Sequence, residues 1–165
     1  MTTTRGHALS AAMTNCGPYG WVSDQRGYRY EAQDPSLNRP WPAMPAVLMD
    51  LAVTAAEQAG FLGYQPDSCL INRYQPGAKM GLHQDRDEVD LSAPIVSVSL
   101  GLPIQFKWGG LKRSDPCEKI KLSHGDVLVF GGADRLKYHG VLTLKAGEHE
   151  LTGPFRYNLT FRKAK

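Results

Sequence analysis

The sequence has no apolar run long enough to cross a lipid bilayer. Its longest apolar stretch, residues 44–56, is interrupted by Pro45 and Asp50, whereas a membrane-spanning helix needs about 20 consecutive apolar residues. The first seven residues, MTTTRGH, contain no apolar core of the kind found in secretion signals. We therefore expect neither membrane insertion nor secretion.

Cysteine is scarce, and neither sign of charge dominates. Cys16, Cys69 and Cys117 form an odd set with no close pair in the sequence, which favours reduced thiols in the cytoplasm over a disulfide framework. The 19 Lys and Arg residues against 16 Asp and Glu make the chain mildly basic. Such a charge tolerates a polyanionic partner but does not require one.

No internal repeat, low-complexity tract or linker divides the 165 residues, so we predict a single domain spanning 1–165. A domain of this size buries roughly 70% of the surface that its unfolded chain would expose. One segment is predicted to be helical: apolar residues recur at helical spacing after Met44, Pro45 suits the first turn and Gly60 suits the end.

The remainder of the chain is typical of short strands. Runs at residues 69–74, 95–100, 104–108, 126–130 and 155–161 are separated by clusters of Pro, Gly and Asp. Residues 9–30 also suggest short strands, arranged around a turn at 16–20. Many short strands at this spacing indicate a sandwich or barrel, so the predicted fold class is mainly β with one outer helix.

The segment 155–162 places two arginines on one face of a predicted strand. Because strand residues alternate between faces, Arg156, Asn158, Thr160 and Arg162 share one side, and the aromatic and aliphatic residues share the other. The strand could be a half-buried edge strand with arginines in water. It could equally line a barrel whose guanidinium groups grip an anionic ligand.

A second strand has a similar polar face. Leu70, Asn72 and Tyr74 lie on one side of the run at 70–74, which places an amide beside a phenol. A polar strand leading into the turn at Pro76 and Gly77 would look the same. The strand alone therefore leaves both interpretations open.

A candidate metal site begins at His83-Gln84-Asp85 and is completed by His139. Two histidines and one carboxylate occupy one face of octahedral iron(II) and leave positions for a chelating cosubstrate and oxygen. An isolated H-x-D is more often a surface feature, and the same ligands can hold zinc in a hydrolase. The arginine pair argues against the hydrolase, since 2-oxoglutarate needs a cation for its distal carboxylate. His124 and His149 are interpreted as a turn residue and an exposed residue.

Together, four motifs resemble the AlkB family of alkylation-repair dioxygenases: N-R-Y from Asn72, H-Q-D from His83, Y-H-G from Tyr138 and R-Y-N-L-T-F-R from Arg156. The resemblance runs over nearly the whole chain. It implies a double-stranded β-helix (jelly roll) with the following ligands. Iron(II) would be bound by His83, Asp85 and His139. The cosubstrate 2-oxoglutarate would be bound by Asn72, Tyr74, Arg156, Asn158 and Arg162, with Arg162 on the distal carboxylate and Arg156 nearer the metal.

The resemblance also implies a set of substrate-binding residues. Trp21 would stack on the damaged base, with His83 as the opposite wall, and Asp87 would meet the exocyclic edge of the base. Tyr28 and Tyr30 would contact the nucleic-acid backbone, and Arg113 would be a further substrate contact. Without the resemblance, Trp21 would be interpreted as a core tryptophan, and residues 28–30 as a solvated strand.

The family further implies a division of the chain and a reaction. Residues 9–42 would form a substrate lid and 68–165 the jelly-roll core. Relatives carry a longer N-terminal section, so we expect intact chemistry and a partly unsupported lid. The implied reaction is oxidative demethylation of bases such as 1-methyladenine and 3-methylcytosine in single- or double-stranded DNA and possibly RNA. It would use O2 and 2-oxoglutarate and release formaldehyde, succinate and CO2.

Two alternatives remain open at this point. The first is a 2-oxoglutarate dioxygenase that acts on a protein or a small molecule. The second is a non-catalytic jelly roll that binds nucleic acid or another ligand. We expect the chain to act as a monomer without a membrane partner.

Overall fold

A computed structural model describes residue 1 and residues 9–165 of the chain. Its largest sheet has five antiparallel strands in the order β1-β6-β13-β8-β11. These strands are β1 Ala12–Cys16, β6 Ser68–Tyr74, β8 Ile95–Gly101, β11 Val127–Phe130 and β13 Arg156–Arg162. Strand β13 lies between β6 and β8, so the interpretation of this segment as an edge strand with arginines in water is wrong.

A second sheet of four antiparallel strands has the order β10-β9-β12-β7. It comprises β7 Met80–His83, β9 Ile104–Trp108, β10 Glu118–Leu122 and β12 His139–Val141. Side chains of both sheets meet in one apolar cluster, with Tyr74 from the first sheet and Phe106 from the second. The two sheets therefore pack face to face around a common interior.

Two short hairpins precede the helix. Strands β2 Gly20–Asp24 and β3 Gly27–Glu31 form one hairpin, and β4 Gln33–Asp34 and β5 Arg39–Pro40 form the other. Strand β1 pairs with β6 along its whole length, from Ala12 opposite Arg73 to Cys16 opposite Cys69. Residues 12–16 therefore belong to the core sheet, although the predicted lid at 9–42 included them.

The helix α1, Ala46–Gln58, packs on the outside of the larger sheet. Its buried Ala52 and Ala56 share an apolar cluster with Cys69, Val96 and Phe161. Phe161 is fully buried there. Because strand residues alternate between faces, the polar face of β13, which carries Arg156 and Arg162, points to the interior between the two sheets. A short 3-10 helix, Gly132–Asp134, follows β11. In the described part of the chain, no helix is long and apolar enough to cross a membrane.

Candidate active site and metal centre

The three predicted metal ligands lie together at one end of the smaller sheet. His83 ends β7 and His139 begins β12, and the two histidines are paired across these antiparallel strands. Asp85 follows His83 by two residues. One ligand atom from each residue lies within 4.8 Å of the others, so the three side chains can bind a single metal ion.

The close approach of β7 and β12 depends on Gly140. A Cβ atom at this position would lie 2.6 Å from the Met80 carbonyl oxygen, which is closer than real Cβ contacts allow. A side chain at residue 140 would push the strands apart. The glycine after His139 therefore keeps the two histidine rings near each other, with their centroids 4.4 Å apart.

Backbone carbonyls orient both histidine rings. Nδ1 of His83 lies 2.9 Å from the Gly81 carbonyl oxygen, and Nδ1 of His139 lies 3.0 Å from that of Lys137. A proton on each Nδ1 satisfies these carbonyls and leaves the Nε2 lone pair for a metal. The Nε2 atoms lie 3.6 Å and 3.8 Å from oxygens of Asp85, so all three ligands converge.

The protonation states of the buried ligands also suit metal binding. Burial would raise the pKa of Asp85, but Arg162 and the two histidines outweigh it and lower the pKa below the ordinary range. Burial lowers the pKa of His139, with a smaller opposing effect from Asp85. Asp85 is therefore an anion and His139 a neutral imidazole at neutral pH, as metal ligands must be.

Arg162 lies at the metal end of the site. Its Nη2 and Nε atoms donate to Oδ2 of Asp85 at 2.7 Å and 3.1 Å, and Nε lies 3.3 Å from a Glu88 oxygen. This contact places Arg162 beside the metal ligands, whereas we expected it on the distal carboxylate of 2-oxoglutarate, away from the metal. Its guanidinium is committed to Asp85, and it orients that ligand.

Arg156 lies at the opposite end of β13, six residues and about 20 Å of strand away from Arg162. Its side chain is 1% exposed and donates to the Ser99 hydroxyl at 2.9 Å. Its Nε and Nη1 atoms have no hydrogen-bond partner among the described residues. Arg162, and not Arg156, lies beside the metal ligands, and Arg156 has two unpartnered guanidinium nitrogens against one in Arg162.

Polar side chains of β6 form a wall beside Arg156. Asn72 lies opposite Asn158 and Tyr74 lies opposite Arg156 across β6 and β13. Burial raises the pKa of Tyr74 to about 12, so its hydroxyl stays protonated and able to donate. A buried guanidinium with unpartnered N–H groups is costly unless a ligand accepts from it, and a carboxylate fits that requirement.

Asn158 and Thr160 are held by their neighbours. The Asn158 amide donates to the Ser97 hydroxyl at 2.8 Å and to the Val98 carbonyl, and its oxygen accepts from Thr160 at 2.8 Å. Asn158 lines the interior as expected, but its hydrogen bonds are largely used within the protein.

A cavity of about 480 Å³ contains the three metal ligands, both arginines and the polar wall. Such a volume is typical of a small-molecule site. Trp21, Tyr28, Asp87 and Arg113 also line it. The structure therefore brings most of the predicted ligand, cosubstrate and substrate residues to one cavity.

An aromatic pair forms the rim of this cavity. The rings of Trp21 and Tyr28 are stacked with centroids 5.5 Å apart, and Tyr28 is 49% exposed. The Trp21 indole donates to Asp87 at 2.9 Å, and Arg113 lies over the ring of Tyr138. Trp21 is half-buried and belongs to neither apolar core, so its interpretation as a core tryptophan is wrong.

Tyr30 differs from the other predicted substrate residues. It is 7% exposed, and its hydroxyl donates to Glu88 in the interior. A contact with a nucleic-acid backbone needs an accessible side chain, whereas the Tyr30 phenol is buried against Glu88, so its expected contact with the substrate stays a prediction. Alternation along β3 puts Tyr28 and Tyr30 on the same face, so the difference comes from the tertiary contact of Tyr30 with Glu88.

Glu88 and Arg135 are functional candidates that sequence reasoning missed. Arg135 donates to a Glu88 oxygen at 2.9 Å and to the Asp85 backbone carbonyl. Both side chains are buried although they lie outside regular strands, where no periodicity signals burial. The one available signal was the position of Glu88 three residues after Asp85.

The two remaining histidines considered above lie outside the metal cluster. His124 and His149 stack on each other with centroids 4.6 Å apart. His124 is exposed in a turn, as predicted, whereas His149 is half-buried and bridges to Gly153.

Comparisons with known proteins agree with this site. Residues 1–162 match the 2OG-Fe(II) oxygenase superfamily. The α-ketoglutarate-dependent dioxygenase AlkB of Salmonella typhimurium is 58% identical over 99% of this chain and 76% of its own length. The chain belongs to the AlkB family. It is an iron(II)- and 2-oxoglutarate-dependent dioxygenase that uses O2, and the predicted enzyme class and cofactors are confirmed.

Two further AlkB-family proteins extend the comparison. The solved structure of OsALKBH1 has a TM-score of 0.81 at 31% identity and covers 94% of this chain and 78% of that one. The mouse protein named nucleic acid dioxygenase ALKBH1 is 33% identical over 73% of this chain and 31% of its own length. The predicted jelly-roll fold with one outer helix is thereby confirmed.

Proposed function

We propose that this AlkB-family enzyme removes alkyl groups oxidatively from damaged nucleic-acid bases. The observation that carries the proposal is one cavity that joins a two-histidine, one-carboxylate cluster to an aromatic rim. The metal cluster serves oxidation, and the rim offers a flat surface on which an extruded base can stack. The names of relatives such as nucleic acid dioxygenase ALKBH1 support the same substrate class.

His83, Asp85 and His139 would hold iron(II), because their free lone pairs converge and their protonation states fit. Iron with 2-oxoglutarate and O2, when bound, supplies the oxidation that yields succinate and CO2 and hydroxylates the alkyl carbon attached to a ring nitrogen. The carbon–nitrogen bond of that hydroxylated product then breaks, which releases formaldehyde and restores the base. The protein binds, orients and shields these reactants.

Arg156 would bind the distal carboxylate of 2-oxoglutarate. Its two unpartnered nitrogens would supply donors. The hydroxyl of Tyr74, on the neighbouring strand, would exchange its weak contact with Sδ of Met80, at 3.9 Å, for the carboxylate. The unpartnered atom of Asn72 is its amide oxygen, an acceptor, so only the amide nitrogen of Asn72 could donate to a carboxylate. Arg162 would orient Asp85, and its Nη1 atom, also unpartnered among the described residues, would be available to the metal end of the cosubstrate.

Trp21 and Tyr28 would hold the base and the adjacent nucleotide at the rim. The carboxylate of Asp87 lies next to the Trp21 indole, so it can attract a methylated ring that carries positive charge. Arg113 is positioned by the Leu82 carbonyl and could pair with a phosphate. His83 would form the wall opposite Trp21.

We further propose single- and double-stranded DNA, and also RNA, as substrates for a cytoplasmic monomer. The three cysteines are free, which fits a reducing compartment. The lid would begin after β1, at about residue 17, and extend to residue 42. The jelly-roll core would comprise β1 together with residues 68–165.

A panel of methylated substrates tests the proposal. The iron-loaded protein is given 2-oxoglutarate with oligonucleotides containing 1-methyladenine or 3-methylcytosine, and in parallel with methylated peptides. Formaldehyde is expected from the oligonucleotides and not from the peptides. Release from peptides alone would contradict the proposal, and succinate formation without formaldehyde from any oligonucleotide would do so as well.

A further inference from the structure

A chain of hydrogen bonds and ion pairs joins the substrate hairpin to the metal ligands. The hairpin, β2 and β3, carries Trp21 and Tyr28 on the cavity side. Tyr30 lies directly opposite Trp21 in the same hairpin. The side chains of Trp21 and Tyr30 donate to Asp87 and Glu88, respectively, which are neighbours in the loop that follows the metal ligand Asp85.

Glu88 is the centre of this connection. One of its oxygens accepts from Tyr30 and lies 3.3 Å from Nε of Arg162. The other accepts from Arg135 at 2.9 Å. Each carboxylate oxygen is therefore committed, and the side chain is 2% exposed.

Both arginines that contact Glu88 also contact Asp85. Arg162 donates to the Asp85 carboxylate, and Arg135 donates to its backbone carbonyl. The cluster thus holds two buried carboxylates and two buried guanidinium groups in balance. Buried charges keep a unique arrangement only when their hydrogen bonds are satisfied, so a change at one member affects the others.

We propose that Tyr30 and Glu88 are positioning residues that tie the substrate hairpin to Asp85 and Arg162. The hairpin and the metal ligand then keep one fixed relation, and a base held at the rim lies at a set distance from the oxidising centre. The inference rests on the proposed function only in naming the hairpin as the substrate side. The protonated phenol of Tyr30 is the single side-chain donor from β3 to this cluster among the described residues.

The substitution Tyr30→Phe tests the connection, because it removes one hydroxyl and retains the ring. Tyr64→Phe is the matched control: Tyr64 is also buried, and its hydroxyl has no hydrogen-bond partner among the described residues. The first readout is amide hydrogen exchange of residues 20–31 in the metal-free protein. Loss of a hydrogen bond to a charged group is expected to speed exchange there about tenfold, with little change in Tyr64→Phe.

The second readout is made at the metal. Cobalt(II) is added in place of iron, and its visible absorption reports the geometry of the bound ligands. We expect an altered cobalt spectrum in Tyr30→Phe and a native spectrum in Tyr64→Phe. Faster exchange in the hairpin with an unchanged cobalt spectrum would mean that Tyr30 only anchors the hairpin, and it would overturn the proposal. Unchanged exchange in Tyr30→Phe would overturn it as well.

A third readout uses the reaction. In Tyr30→Phe, the ratio of succinate to formaldehyde with a methylated oligonucleotide should rise at least about threefold, because a hydrogen bond of this kind affects an equilibrium several-fold or more. An unchanged ratio contradicts the proposed distance control. If the native protein demethylates no oligonucleotide, the proposed function fails, whereas the exchange and cobalt readouts still decide the connection.

Discussion

Arg156 and Arg162 lie on the same face of the same strand, yet their surroundings differ. Arg162 contacts two buried carboxylates, Asp85 and Glu88. Burial acts to lower its pKa, but these carboxylates and Tyr30 raise the pKa well above the ordinary value. Burial lowers the pKa of Arg156 to about 10, with little compensation from Tyr74 and Asp126.

This difference indicates that the guanidinium of Arg162 pairs with carboxylates of the protein, whereas that of Arg156 is available to pair with a ligand. The charge of Arg162 balances the metal ligand, so its removal disturbs the fold and the metal site together. The charge of Arg156 is not balanced by a carboxylate in contact among the described residues. A carboxylate of 2-oxoglutarate would provide that balance, and Arg156 is therefore expected to matter for the cosubstrate more than for folding.

The substitution Asp85→Ala should have the largest effect on both activity and stability. It removes a metal ligand and leaves Arg162 short of its main counter-charge. We expect turnover to be abolished and the free energy of unfolding to fall by about 3–5 kcal/mol, as for other broken buried pairs. Metal titration and urea unfolding measure the two effects.

The matched control is Asp134→Ala. Asp134 pairs with Lys137 at 2.7 Å, but both side chains are substantially exposed, so its loss should cost about 0–1 kcal/mol. Undiminished formaldehyde release by Asp85→Ala would exclude Asp85 as a ligand. Equal stability of the two variants would remove the buried pair from the account.

Arg162→Leu tests whether Arg162 stabilises the fold and orients the metal ligand Asp85. It leaves Asp85 and Glu88 buried without one of their cations, so we expect a loss of about 3–5 kcal/mol in unfolding free energy. Metal affinity should fall as well, because Asp85 is no longer oriented. A native urea midpoint in this variant would show that the pair contributes nothing to stability.

The sequence predicted the face of β13 but not the order of its arginines. Alternation places Arg156 and Arg162 on one side of the strand, whichever end is near the metal. Their order depends on where the loop carrying Asp85 packs, which no local pattern specifies. The metal triad was predictable from the four motifs that together resemble the AlkB family, whereas an isolated H-x-D is more often a surface feature.

The buried cluster around Glu88 could not be predicted for a related reason. Glu88 and Arg135 come from irregular segments, where a charged residue is ordinarily exposed. Tyr30 was assigned to the substrate because the family resemblance implied it, and the alternative was a solvated strand at residues 28–30. Only the tertiary contact with Glu88 distinguishes it from Tyr28.

Trp21→Ala tests base stacking at the rim of the cavity, outside the charged cluster of Asp85, Glu88 and the two arginines that contact them. Loss of base stacking should weaken binding of a methylated oligonucleotide by about 1–3 kcal/mol. Succinate release in the absence of substrate should remain near native, since Trp21 contacts neither metal ligands nor arginines. A large drop in melting temperature with parallel loss of both activities would assign Trp21 a structural role.

The smallest expected effect is a pH dependence at His139. Its pKa in the folded protein lies below the ordinary value of about 6.5, so the unfolded chain binds more protons just below that pH. The metal-free protein should therefore be most stable above pH 6.5 and lose stability as the pH falls, by at most about 1.4 kcal/mol per pH unit. Urea midpoints at several pH values measure it. An identical slope in His139→Asn would contradict the assignment.

The affinity of Arg156→Leu for 2-oxoglutarate tests the central claim most directly. The metal-loaded variant and the native protein are titrated with 2-oxoglutarate, and their urea midpoints are compared. We predict at least about tenfold weaker binding, since each hydrogen bond to a charged group contributes about 1.5–3 kcal/mol, with no loss of stability. Native affinity for 2-oxoglutarate, or a stability loss as large as that of Arg162→Leu, would contradict the distinction between the two arginines.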